Sequence, residues 1–379
     1  MAFQLSAEHE AVRRAVREFG EAEIEPVARE HDETGAYPEE LRRLAAEYDF
    51  VAPNIPEAYG GAGMDTLATT VVTEELWRAD PGIGSAVGSA GFGTSMLIEY
   101  GEEWMKEEWL PPIAAGEAAS ASAISEPAHG SNVAGIETSA EREDGEWVID
   151  GTKTWITNGT VADVAIVMAK TDPGAGHRGI TAFLVPTDTP GFEAEKIDNK
   201  LGIHASDLAT LYLDGVCVPE DNVVGAVDEG FYQLMDFFAS GRTSVAAQAI
   251  GAAQGALDAA TEYAGEREQS GQPIGEFQAI RHKLAEMATN VEAARSLAYR
   301  AAAHVEAGED ELATRFASMA KLFASERAVD VADEALQVFG GAGYVTDHPA
   351  ERYYRDARIT KIYEGTSEIQ KNIIADGLL

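Results

Sequence analysis

The stretch Lys361-Ile-Tyr-Glu-Gly-Thr-Ser-Glu-Ile-Gln370 holds a carboxylate, Glu364, between an aromatic ring and a glycine. Shielded from water, such a carboxylate gains proton affinity and can act as a general base. The same residues also read as helix punctuation. Ser367 and Gln370 have the spacing of a capping box, and Gly365 loosens the entry. Glu364 would then be a surface charge beside a helix N-terminus. Three other places could carry chemistry. SASAISEPAHGSNVAG (120–135) offers a turn of backbone N–H groups at Gly130-Ser131-Asn132, suited to an anion or a heteroaromatic edge, and equally to a plain connecting turn. KTWITNG (153–159) sets Trp155 and Thr157 two residues apart on one face of a strand, where an indole and a hydroxyl could meet a planar cofactor or simply fill a half-buried surface. Arg267 ends a helical run before Gly271, as a solvated charge or as a reach toward a diphosphate.

Composition narrows the classes. The chain carries 65 Asp and Glu against 28 Lys and Arg, a net charge of −37, which repels nucleic acid and anionic membrane surfaces. The acidity is spread along the chain and lysine is scarcer than arginine, which points to a surface adapted to high salt, a halophilic trait. A single cysteine, Cys217, excludes an intrachain disulfide and a cysteine zinc cluster. The eight histidines show no HExxH spacing, so no metal site is expected. No apolar run approaches the roughly 20 residues of a membrane span, and the N-terminus lacks a signal-peptide pattern, so no membrane insertion and a cytoplasmic location are expected.

The elements that must position these residues fall into three zones. Residues 1–120 read as helical, with Ser6 as an N-cap, Val12, Val16 and Phe19 at helical spacing, and Pro111-Pro112 placed to begin a helix. Residues 121–230 read as β-rich, with an Asp-Gly turn at Asp150-Gly151 and no long helices between strands, which disfavours a doubly wound parallel sheet. Residues 231–379 return to long helices, one of them ended by Gly340-Gly341, with a short last helix near Ser367. The glycine clusters at 60–63, 88–93 and 339–344 do not fit a dinucleotide-binding GxGxxG between strand and helix. Ligand chemistry is expected where the three zones meet.

Five stretches carry a family resemblance: AISEPAHGSNVAG, GTKTWITNG, KLGIHASDLATLYLDGVCVPEDNVVG, YAGEREQSGQPIGEFQAIRHKLAEM and QVFGGAGYVTDHPAERYYRDARITKIYEGTSEIQ. Their order and spacing resemble those of acyl-CoA dehydrogenases, over essentially the whole chain. The resemblance implies an α+β fold with an N-terminal helical domain, a middle β-domain and a C-terminal four-helix bundle, assembled as a homotetramer. It implies FAD bound non-covalently, with Ile124 and Ser125 at the flavin's pyrimidine edge, Ser131 at the diphosphate, and Trp155 and Thr157 flanking the isoalloxazine. Arg267 and Gln269 would reach the FAD of another subunit, Gln337 and Gly341 the adenosine side, and Thr366 and Glu368 would close the site. Ser131, Arg242, Tyr363 and Gly365 would meet the acyl-CoA substrate.

The implied reaction is α,β-dehydrogenation to the trans-2-enoyl-CoA, with Glu364 taking the α proton, FAD N5 the β hydride, and an electron-transfer flavoprotein the electrons. The backbone N–H of Glu364 would stabilise the enolate oxygen. Some relatives place the base on a helix before an arginine; here that place is Gly241, before Arg242, so Glu364 is the implied base. An acyl-CoA oxidase is the alternative within the fold, though the chain's length suits the dehydrogenases. His129, Asn132 and Ser270 depart from the usual pattern; His129 reads either as added positive charge beside the anion turn or as a solvent-exposed loop histidine.

Overall fold

Ser6 caps the first helix as its spacing implies. Its hydroxyl accepts the His9 amide at 3.2 Å, and the Ser6 amide donates back to the His9 ring at 3.3 Å, closing a capping box. In the computed structural model, which describes residues 5–379, this opens α1 (Ala7–Phe19). There follow α2 (Ala28–Thr34), α3 (Glu39–Ala46), α4 (Thr66–Ala79), α5 (Pro81–Gly88), α6 (Thr94–Tyr100) and α7 (Glu103–Ala114). Pro111 and Pro112 do not begin a helix but sit in the last turn of α7. Their missing amides leave the carbonyls of Glu107 and Glu108 unpaired, which the exposed side of the helix tolerates, and α7 ends two residues later.

The chain then builds one seven-stranded mixed sheet from β1 (Ser120–Ala123), β2 (Ser139–Glu143), β3 (Glu146–Thr157), β4 (Val164–Lys170), β5 (Ile180–Pro186), β6 (Phe192–Lys196) and β7 (Leu208–Pro219). β1 runs parallel to β4, whereas the β2–β3, β3–β7, β6–β7 and β4–β5 pairs are antiparallel. β4 and β5 are near-continuous apolar runs because both their faces are covered. Ile166, Met168 and Leu184 join the core of the N-terminal helices, while Val167, Phe183 and Val185 pack with Ile149 and Leu211 of the neighbouring strands. The expected Asp150-Gly151 turn is absent. Those residues lie inside β3 at a register shift, where the Asp150 carboxylate accepts the Gly215 amide at 2.8 Å. The hairpin turn is Asp144-Gly145, whose φ values of 50° and 93° suit a two-residue connection. Two Asp-Gly pairs six residues apart look alike locally; strand pairing decides between them.

The last part is α8 (Gly230–Glu266), a single helix of 37 residues, then the small hairpin β8 (Glu268–Gln269) and β9 (Gln272–Pro273), and α9 (Gln278–Glu306), α10 (Asp310–Phe339), α11 (Ala350–Ala357) and α12 (Ser367–Asp376). α10 stops at Gly340, whose φ is 59°. The helical–β–helical order is thus the one expected, and no described helix is long and apolar enough to cross a membrane. The two helical parts meet backbone to backbone. A methyl group on Gly251 of α8 would lie 2.2 Å from the Glu74 carbonyl oxygen of α4. Beside this contact the buried Glu74 and Glu75 of α4 take Arg295 at 2.8 Å and Arg17 at 2.8 Å, from α9 and α1, and Tyr299 donates to Glu74 at 2.8 Å. Removing one partner from such a network costs about 3–5 kcal/mol, because the other charge stays buried.

With its excess of carboxylates the folded surface repels itself. Shortening the Debye length from about 10 Å at 0.1 M to about 3 Å at 1 M salt should therefore raise the melting temperature. Differential scanning fluorimetry across that potassium chloride range checks this; a flat profile would mean that self-repulsion does not limit the fold.

Candidate active site

The loop between α11 and α12 presents the carboxylate singled out in the sequence. Glu364 has a φ of 51° and Gly365 one of 87°, two left-handed residues in succession. For a side chain such as glutamate this costs about 1–3 kcal/mol and needs support. Support comes from two buried side chains. Gln370 Nε2 donates to the Glu364 carbonyl at 3.1 Å and the Gly365 carbonyl at 2.9 Å, and Lys321 Nζ donates to the Gly365 carbonyl at 2.6 Å. Position 365 must be glycine, since a Cβ there would stand 2.7 Å from Gln370 Nε2.

This corrects the capping-box reading. The N-cap of α12 is Thr366, whose hydroxyl accepts the Ile369 amide at 3.4 Å. Ser367 is buried with no partner for its hydroxyl, and Gln370 points back to brace the loop. The cap falls one residue earlier, at Thr366, and Gln370 gives its amide hydrogens to the strained carbonyls.

The Glu364 carboxyl lies against α8. Its Oε2 is buried without a hydrogen-bond partner among the described residues, and a methyl on Gly241 would come within 2.9 Å of that oxygen. The helix position that the resemblance offers as the other place for a base and the loop position of Glu364 thus address one space. Burial lifts the proton affinity of Glu364 to about 7, while Arg242 and Lys321 pull in the opposite direction. Burial lowers the proton affinity of Arg242 and Lys321 in turn, that of Lys321 to about 8, and Glu364 partly restores both. Arg242 also stacks over Phe238 at 5.5 Å. Tyr363 points its hydroxyl to Gln248 of α8, and its proton affinity is raised by burial and by Glu364.

In the middle domain, β3 bulges between Lys153 and Ile156. At the bulge Trp155 takes a φ of 61° and stands 63% exposed, with Ile156 turned into the core and Thr157 half-buried. A large indole held outward on a strained backbone is unusual without a ligand to meet it. The bulge is pinned from behind. The Thr154 amide donates to the Ser125 carbonyl at 2.9 Å, and Asn158 donates to the Ser89 and Ser120 carbonyls at 2.6 and 3.0 Å. Lys153, fully buried, bonds the Ile124 carbonyl at 3.1 Å and Glu126 at 2.8 Å. Burial alone would raise Glu126, but Lys153 and the Glu137 and Thr138 amides hold it below the usual carboxylate range. Ile124, Ser125, Trp155 and Thr157 therefore form one braced unit. Ser131 lies exposed in the following turn, where His129 faces Glu137 at 3.6 Å.

The remaining residues from the sequence are elsewhere. Arg267 is the C-cap of α8, about 39 Å along that helix from Gly241. Gln337 lies about 24 Å along α10 from Lys321. Arg267, Gln269, Gln337 and Gly341 are all exposed, and Thr366 and Glu368 sit at the start of α12 beside the Glu364 loop. The sequence reading missed Lys321, Gln370 as a brace, Gln248, and the Lys153–Glu126 pair. A lysine in line with Ala317, Ala320 and Ala324 on a core-facing stripe was the available signal for the first.

Three family models cover the chain: the acyl-CoA dehydrogenase N-terminal domain over residues 6–117, the middle domain over 121–216 and the C-terminal domain over 228–379. The mitochondrial short-chain specific acyl-CoA dehydrogenase of Rattus norvegicus is 40% identical over 378 residues, covering 99% of this chain and 91% of that protein. The butyryl-CoA dehydrogenase structure from Megasphaera elsdenii superposes with a TM-score of 0.95 at 38% identity, over 100% of both chains. A chain solved in work on the electron transferring flavoprotein of Acidaminococcus fermentans does so with a TM-score of 0.95 at 39% identity, again over 100% of both.

Gly241→Ala tests the shared space. Alanine is favoured over glycine in a helix by about 1 kcal/mol, so the melting temperature should hold or rise. The carboxyl must move aside, and with a 1 Å misplacement costing about a hundredfold, activity should fall at least about tenfold. Melting curves and steady-state rates on one preparation separate the two effects.

Proposed function

The chain belongs to the acyl-CoA dehydrogenase family, and on that premise we propose that it oxidises an acyl-CoA thioester to the trans-2-enoyl-CoA, with Glu364 as the base that removes the α proton. The observation that carries this reading is the buried Glu364 Oε2, unpartnered and held on a doubly left-handed backbone against Gly241 and Arg242. An oxygen with no partner has a free lone pair, and a proton affinity near 7 suits a base that must take a proton and later release it. The Glu364 amide donates to no backbone carbonyl among the described residues, so it is available to the thioester oxygen as negative charge develops there. Once Glu364 carries the proton, Arg242 and Lys321 remain as two buried cations beside that charge. Tyr363 and Gln248, closed on each other, bound the acyl side of the loop.

FAD, the cofactor of the family, supplies the acceptor for the β hydrogen when bound. The residues present fit it. The outward Trp155 and the half-buried Thr157 would flank the ring system, Ile124 and Ser125 would meet its edge, and Ser131 the phosphates. Thr366 and Glu368 would close the side nearest Glu364. We assign an electron-transfer flavoprotein as the partner that takes the electrons, supported by the similarity to the chain from the Acidaminococcus fermentans work.

Arg267 and Gln337 lie about 39 Å and 24 Å along α8 and α10 from where those helices meet the Glu364 loop, with Gln269 and Gly341 just beyond them. We assign them to the cofactor of a second copy, in a homotetramer.

Two experiments test these assignments. Glu364→Gln should keep the yellow cofactor yet lose anaerobic bleaching by butyryl-CoA by about a hundred- to ten-thousand-fold. In the parent enzyme the bleaching rate should rise with pH to a midpoint of about 7, since the carboxyl acts ionised. Bleaching by the Gln variant at the parent rate would remove Glu364 from the role. Peroxide release on aerobic turnover would exchange the flavoprotein partner for oxygen. Arg267→Ala should release FAD on dilution while the isolated chain keeps its helical circular dichroism. Light scattering that shows a monomer with full FAD occupancy would overturn the shared site.

A further inference from the structure

Lys321 lies on the inner face of α10, fully buried among Ala317, Ser318, Ala320 and Ala324. Packing does not require an ammonium group there, because an apolar chain of similar volume would avoid the desolvation that burial imposes on the charge. Its hydrogen bond goes to the Gly365 carbonyl at 2.6 Å, the oxygen that Gln370 also holds at 2.9 Å. The two donors converge on the carbonyl of Gly365, the second of the two left-handed residues. The charged groups acting on Lys321 are Glu364 from the loop, Arg242 from α8 and Glu368 from α12; only Arg242 repels it. With its Oε2 unpartnered, Glu364 has no direct ion pair among the described residues. Compensation for its charge is therefore indirect, from Arg242 first and then from Lys321, the cation tied to its own loop.

We propose that Lys321 is a positioning residue for the general base: it clamps the Gly365 carbonyl, locks the strained Glu364–Gly365 backbone, and lends its charge to the ionised carboxylate. The inference rests on the assignment of Glu364 as the base. Its two parts separate. The clamp sets where the carboxyl points, and the charge sets the pH at which it is ready. Gln370 shares the first task, being neutral, and cannot share the second.

The test uses holoenzyme carrying Lys321→Met, Lys321→Gln or Lys321→Arg, beside Glu364→Gln. Three quantities are read: the pH profile of anaerobic bleaching by butyryl-CoA, the pH at which the carboxyl infrared band of Glu364 disappears without substrate, and the melting temperature. An opposite charge nearby lowers a carboxyl by about one to three pH units. The Met and Gln variants should therefore move both the acid limb and the infrared titration up by about one unit, with about a five- to sixfold loss of rate at pH 7 and little change in KM. Arg should restore both. If either neutral variant folds and binds FAD yet keeps both midpoints, while Glu364→Gln is inactive, Lys321 only packs and the inference falls alone. If Glu364→Gln still exchanges the substrate α proton with solvent, the base assignment falls and takes this inference with it.

Discussion

A carboxylate that is to take a proton from carbon has to be buried, and a buried carboxylate has to be held. For Glu364, the proposed base, both demands fall on five residues, Tyr363 to Ser367, and the surrounding fold serves them. The loop adopts two left-handed residues, the first of them not a glycine, and that conformation survives because α10 and α12 each send a buried donor to its carbonyls. α8 contributes the vacancy at Gly241 that lets the carboxyl lie flat, and the charge of Arg242 beside it. The site is thus made of three helices and a strained turn. The strain and the burial belong to its chemistry.

Linkage gives this arrangement a thermodynamic sign. The Glu364 carboxyl has its proton affinity raised from about 4.5 to about 7 by burial. A carboxyl raised in this way contributes stability that is fully present below its unfolded value and is lost as pH rises through the folded one. Near neutrality, where the base is ready, the fold therefore bears a cost at this residue. Arg242 and Lys321 reduce that cost without abolishing it, since direct pairing would occupy the lone pair that has to accept the proton. The partnerless Oε2 is the compromise between stability and availability.

Much of this was legible in residue types and spacing, and the exceptions have physical causes. Glu364, Trp155 and the helical–β–helical order could be read because each leaves a local mark: an acid before Gly-Thr-Ser, an indole two residues from a threonine, a change from period 3.6 to period 2. The turn at Asp150-Gly151 was misread because Asp144-Gly145 offers the same signal, and only pairing with β7 makes the former a bulge. Ser367 was misread as a cap because Thr366 competes one residue earlier, and what freed Gln370 was a strained carbonyl that no local pattern announces. Lys321 and the Lys153–Glu126 pair share one reason for escaping notice. Each buried lysine takes its partners from chain that is distant in sequence, 44 residues away for Gly365 and 27 for Glu126, so the sequence shows only a lysine.

Helix length then decides what one chain can complete by itself. α8 touches the Glu364 carboxyl near its first third and ends at Arg267, and α10 bonds the Gly365 carbonyl near its middle and ends just beyond Gln337. A straight helix is a ruler of about 1.5 Å per residue, so the exposed ends stand about 24–39 Å from the base and face solvent in the single chain. α8 meets the Glu364 carboxyl at Gly241, crosses α4 at Gly251 and continues to Arg267. The same 37-residue span that joins the two helical domains therefore sets Arg267, and Gln269 just after it, far along the helix from the Glu364 loop. On the proposed reading, rigid helices that brace the Glu364 loop at one point hold their remaining polar ends out in solvent, where a second copy would meet them.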